Sequence, residues 1–92
     1  MEAHIAFLRQ QLDEYYRPFD DFRKGRNKKT RDAGARTSDN IRLVVQNYIN
    51  RHEELHQEFI RFFPGFAYDE AFSWQYFHRD MPRFVDHLRN LE

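Results

Sequence analysis

Cysteine is absent from the chain, which excludes a disulfide framework and any thiolate metal site. Glycine and proline are scarce, three of each in 92 residues. Gly25, Gly34 and Gly65 stand too far apart to form a glycine-rich phosphate loop. No apolar run reaches the ~18 residues that a membrane span requires. The opening Met1-Glu2-Ala3-His4 is not a basic stretch leading into a greasy core. It does not read as a secretory signal, and the expected setting is intracellular, cytoplasmic or nuclear. Strand-like alternation and Asn-Gly or Asp-Gly hairpin turns are missing as well. Ser38 and Ser73 lie outside any G-x-S-x-G turn, so no activated nucleophile is in place.

What the chain does have is aromatic residues and helical spacing. Phe, Tyr and Trp make up 17% of it, ten of them Phe, which suits a small core filled by a few large rings. The length fits one domain, 1–92. Three apolar stripes recur at spacings of three and four. The first is Ile5, Leu8, Leu12, Tyr15, Phe19 and Phe22. The second is Val45, Tyr48, His52, Leu55, Phe59 and Phe62, widened by Ile41, Val44, Ile49 and Phe63. The third is Trp74, Phe77, Met81, Phe84, Leu88 and Leu91. These predict an all-α bundle of three long helices. Pro18 and Pro82 bend two of them, so the count can rise to four or five. Thr37, Ser38, Asp39 and Asn40 offer N-caps for the second helix, and Pro64-Gly65 stops it. Asp69-Glu70 open the third, with Asp80 placed to cap a restart at Pro82.

Charge sums to zero but is unevenly placed. Arg23, Lys24, Arg26, Lys28, Lys29, Arg31 and Arg36 face a single acid, Asp32, within fourteen residues. That segment carries +6 and the rest of the chain −6. Its glycines and polar residues, with only Ala33 and Ala35 apolar, predict a flexible basic loop over 24–38. Such a loop is either a solvated connection or a contact for a polyanion, and the seven basic residues are the polyanion-binding candidates. If they converge with Arg42, Arg51 or Arg61 on one face, nucleic acid is favoured.

Residues 52–56 read His-Glu-Glu-Leu-His, the H-E-x-x-H spacing of zinc peptidases. His52 and His56 would share a helix face, with Glu53 as base. The downstream Gly and His of metzincins are absent, Glu70 is a poor third ligand, and His52 falls on the apolar stripe. Glu53 with His56 also matches the i, i+3 pair of ferritin-like di-iron bundles. That use would need a homodimer to supply a second pair, with Glu14 or Asp13 as an extra ligand. The reading is therefore no catalytic residue, no cofactor and no metal; His52, Glu53 and His56 are the residues a metal would take. Glu53, Glu54 and Glu58 read as a solvated face, with Glu54 paired to Arg51 and Glu58 to Arg61.

The stretch 43–66, with Leu55, Phe59, Phe62, Phe63 and Pro64 in order, resembles the third helix of paired amphipathic helix (PAH) domains of co-repressors. Tyr16, Phe19 and Phe22 would stand for the preceding short helix. The resemblance implies a groove that accepts an amphipathic partner helix. The functional expectation is a non-enzymatic, regulatory or interaction module. It would bind another protein, or a second copy of itself, through an apolar-aromatic surface at Phe66, Tyr68, Trp74 and Phe77. The alternative is a nucleic-acid-binding accessory protein that uses the basic segment. No membrane contact is expected.

Overall fold

The computed structural model describes residues 1–63 and 68–91. Its elements are α1 (Glu2–Lys24), α2 (Lys28–Arg51), α3 (Glu53–Phe62), a short 3₁₀ helix (Tyr68–Phe72) and α4 (Phe77–Asn90). The described residues hold no strand, and the all-α reading stands with four α-helices. None of these helices is long and apolar enough to cross a membrane.

The apolar stripes are the core. Ile5, Leu8, Leu12, Tyr15 and Phe19 of α1 are buried against Ile41, Val45 and Ile49 of α2. Leu55 and Phe59 of α3 join Phe77, Met81, Phe84, Val85 and Leu88 of α4 in the same cluster. Ring pairs fix the direction of α4 along α1. Phe22 meets Trp74, Phe19 meets His78 and Tyr15 meets Phe77, while Arg9 and Arg89 line one crevice further along. The two helices are therefore antiparallel, as are α1 and α2. The α1–α2 hairpin sets the long dimension of the molecule, 42 Å in 42 × 25 × 20 Å.

The basic segment is not a loop. Only Gly25, Arg26 and Asn27 connect α1 to α2. The Gly25 N–H closes α1 on the Asp21 carbonyl at 2.9 Å, and the Asn27 side chain caps α2 by accepting from the Thr30 N–H at 2.8 Å. Residues 28–38 are the first three turns of α2, although they hold almost no apolar side chain. The reason is Gly34, which is buried against α1. A Cβ there would lie 2.5 Å from the Pro18 carbonyl oxygen and 2.6 Å from the Phe22 nitrogen. A missing side chain, rather than an apolar one, lets the two backbones meet. Ser38, expected near the start of the helix, is buried within it and donates to the Ala35 carbonyl.

The second stripe is one helix in phase but two in structure. His52 leaves the helical region (φ −114°, ψ 98°), ends α2 and precedes α3. Its Nδ1–H donates to the Tyr48 carbonyl at 2.7 Å, so the ring satisfies a carbonyl near the break. The helices α1 and α4 both continue through their prolines, Pro18 and Pro82. Asp80 does not cap a restart. It is 3% exposed inside α4, held bidentately by Arg79 at 2.9 and 3.0 Å, with Arg83 at 3.7 Å. Asp69 and Glu70 fall in the 3₁₀ helix, not at the start of α4.

Candidate functional site

The seven basic residues gather at the closed end of the α1–α2 hairpin. Arg23 and Lys24 end α1, Arg26 sits in the turn, and Lys28, Lys29, Arg31 and Arg36 lie on the first turns of α2. All seven are exposed. Arg31 donates to the Gly25 carbonyl at 3.1 Å, and Arg23 lies over the Phe19 ring at 5.4 Å. Among the described residues none of the seven is ion-paired, although Asp20, Asp21 and Asp32 are close in sequence. By contrast Arg42, Arg61, Arg79, Arg83 and Arg89 each hold a carboxylate. The first turn of α2 carries no acid, so the positive end of that helix adds to the local charge instead of being offset.

The patch is confined to this end. Arg42 is buried, donating to the Tyr15 hydroxyl at 3.1 Å and paired with Asp39. Burial pushes the Tyr15 hydroxyl pKa up, against the opposing pull of Arg42. Arg61 is paired with Glu58, and Arg51 stands at the opposite end of α2. The convergence with Arg42, Arg51 or Arg61 that was expected to favour nucleic acid therefore does not occur.

The aromatic surface is redrawn. Trp74 is 49% exposed and meets Phe22 edge-on, ring centroids 6.0 Å apart. Phe77 is fully buried against Tyr15 and belongs to the core, not to a partner surface. Phe66 and the Tyr68 side chain lie outside the described residues. The sequence reading passed over the outer face of α2, where Leu43 and Val44 are 55% and 44% exposed. Beside Val44 the Phe7 and Tyr48 rings stack at 3.9 Å, while Leu43 lines the neighbouring crevice with Asp39, Arg42, Gln46 and Phe72. Phe7, Val44, Asn47, Tyr48 and Arg51 line a shallow groove of about 290 Å³. Its signal in the sequence was the double apolar step Val44-Val45, of which only Val45 fits the buried stripe.

The His-Glu-Glu-Leu-His segment does not present two histidines on one helix. His52 is the junction residue, with Nδ1 engaged by Tyr48, and Glu53 accepts from Gln57 at 3.1 Å. Among the described residues no three His, Asp or Glu side chains are grouped to hold a metal. Glu54 pairs not with Arg51 but with His4, whose Nε2–H donates to it at 2.9 Å while Nδ1 is hydrogen-bonded to the Tyr48 hydroxyl at 2.7 Å. The proton on Nε2 follows from its partner, since an ionised carboxylate only accepts. The His4 hydrogen bond holds the Glu54 carboxyl below its usual value. On the same helix Glu58 takes Arg61, as expected, and also His87 at 2.8 Å. These carboxylates pin α3 to α1 and α4.

No family model, no curated protein and no solved structure matches this chain.

Proposed function

We propose that the chain is a non-enzymatic helical interaction module that binds a partner protein through the outer face of α2. The carrying observation is the adjacent exposed pair Leu43 and Val44 beside the stacked Phe7–Tyr48 rings. Single exposed apolar residues are ordinary, but an apolar ridge next to a groove is a contact surface. The turns around it display Arg36, Asn40, Asn47 and Arg51, all exposed, and the one acid beside Leu43, Asp39, is held by Arg42, so the matching surface is apolar with acidic flanks. A second copy fits poorly. Two α2 helices packed antiparallel about Leu43–Val44 bring Arg36 of one against Arg51 of the other.

The test is site-specific photocrosslinking in cells that express the chain. A crosslinking residue at position 43 should give a discrete adduct with another protein. The same residue at Gln10, exposed on α1, should give none. Equal labelling from both positions, or no adduct from 43, refutes the reading. An adduct of the chain with itself assigns the face to a homodimer instead.

A further inference from the structure

We infer that the closed end of the hairpin is a separate binding site for single-stranded nucleic acid, with Trp74 as its stacking platform. The site lies at the other end of α2 from Arg51 and excludes Leu43 and Val44; of its cations only Arg36 also flanks that face. It combines two features that single-strand binding needs: unneutralised cations for the backbone and an exposed ring for a base.

The cations are fixed. Arg23 and Lys24 ride on the last turn of α1, and Lys28, Lys29 and Arg31 on the first turn of α2. The turn between them is closed by the Gly25 and Asn27 hydrogen bonds. Six of the seven lie within nine residues. Their charges are available, because none is spent on a carboxylate among the described residues.

The ring is Trp74, the only tryptophan in the chain. Its edge-on contact with Phe22 places it near the C-terminal end of α1, the end that carries Arg23 and Lys24. It is half exposed while Phe77, Met81, Phe84 and Leu88 of its stripe are buried, which leaves indole surface for a base. Duplex DNA would offer phosphates but no free base face. An acidic peptide would use the cations and leave the indole idle. The small extent of the patch suits a few nucleotides, within the ~4–16 that compact single-strand sites cover.

The sole tryptophan gives the test its readout. The whole chain is titrated with a labelled oligothymidylate of about ten nucleotides over a salt series. Binding should weaken with salt and quench the Trp74 emission. Lys28→Ala/Lys29→Ala/Arg31→Ala should lower the log–log salt slope by roughly 2, about 0.7 for each lost single-strand contact. Lys28→Ala/Lys29→Ala alone, which removes no hydrogen bond to the turn, should lower it by about 1.4 and keeps the test open if Arg31 is needed for folding. Trp74→Ala should weaken binding roughly tenfold without changing the slope, and Trp74→Phe should restore most of it. Circular dichroism checks that each variant is folded. No binding at low salt overturns the inference, as does binding without Trp74 quenching. Equal affinity for a duplex of the same length, indifferent to Trp74→Ala, reassigns the site to phosphate alone. Tighter binding of polyglutamate than of the oligonucleotide, again indifferent to Trp74, reassigns it to an acidic protein. Neither result touches the Leu43–Val44 reading, whose crosslink is measured elsewhere on the molecule.

Discussion

Gly34 decides more about this fold than any apolar residue of the basic segment. Read in sequence it marks a loop, because glycine is the poorest helix former after proline. In the fold it sits where α2 crosses the Pro18–Phe22 stretch of α1, and backbone atoms occupy the space a Cβ would need. Gly34→Ala should therefore destabilise the protein by roughly 1–3 kcal/mol, since overpacking outweighs the ~1 kcal/mol gained in helix propensity. Urea unfolding checks it, and a rise in midpoint would show that α2 does not approach α1 so closely. Single-residue propensity could not reveal this, because the space at Gly34 belongs to a helix distant in sequence. The Asn27 cap was equally readable in type, but four later polar residues competed for the role.

Among the elements, the spacing of apolar residues carried the reading furthest. The residues of all three stripes that were placed in the core are buried, apart from the stripe ends Phe22, Phe62, Phe63, Trp74 and Leu91, the junction residues Tyr48 and His52, and Val44, which faces outward from α2. The break between α2 and α3 was illegible, because Tyr48, His52 and Leu55 keep helical phase across it. What holds α3 in its own direction is partly polar: Glu54 on His4 of α1 and Glu58 on His87 of α4. Glu54 faces His4, with His52 and the chain amino group also nearby. Its folded pKa lies below the unfolded value because His4 donates to it. Its stabilising contribution is therefore complete above the ordinary glutamate range, about 4.3, and drains away as pH falls through the lower folded value. Glu54→Gln should remove that part of the acid limb. The difference between wild-type and variant stability, measured by denaturant from pH ~6 down to ~3, should shrink on acidification. A constant difference would show that Glu54 and His4 are not coupled.

At the scale of the whole molecule, zero net charge conceals a dipole. The hairpin end concentrates unpaired cations, while the paired ones hold their carboxylates elsewhere on the helices. Like charges roughly 7 Å apart in water repel by about 0.6 kcal/mol per pair, and salt screens that repulsion over a Debye length of about 8–10 Å. Exposed ion pairs elsewhere contribute little, so their loss in salt offsets little of the gain. Added sodium chloride, from ~10 to ~200 mM, should therefore raise the thermal midpoint of this neutral chain. The residues responsible are identifiable. Lys28→Ala/Lys29→Ala relieves crowding at the positive end of α2, where each cation is unfavourable by about 0.3–1 kcal/mol. That variant should melt higher than wild type at low salt and respond less to added salt. Both differences follow from the same charges that the single-strand site would use, so stability and binding should move in opposite directions. A wild-type midpoint that falls with salt would mean that the surface ion pairs outweigh the hairpin end. The positive end would then impose no stability cost for binding to offset.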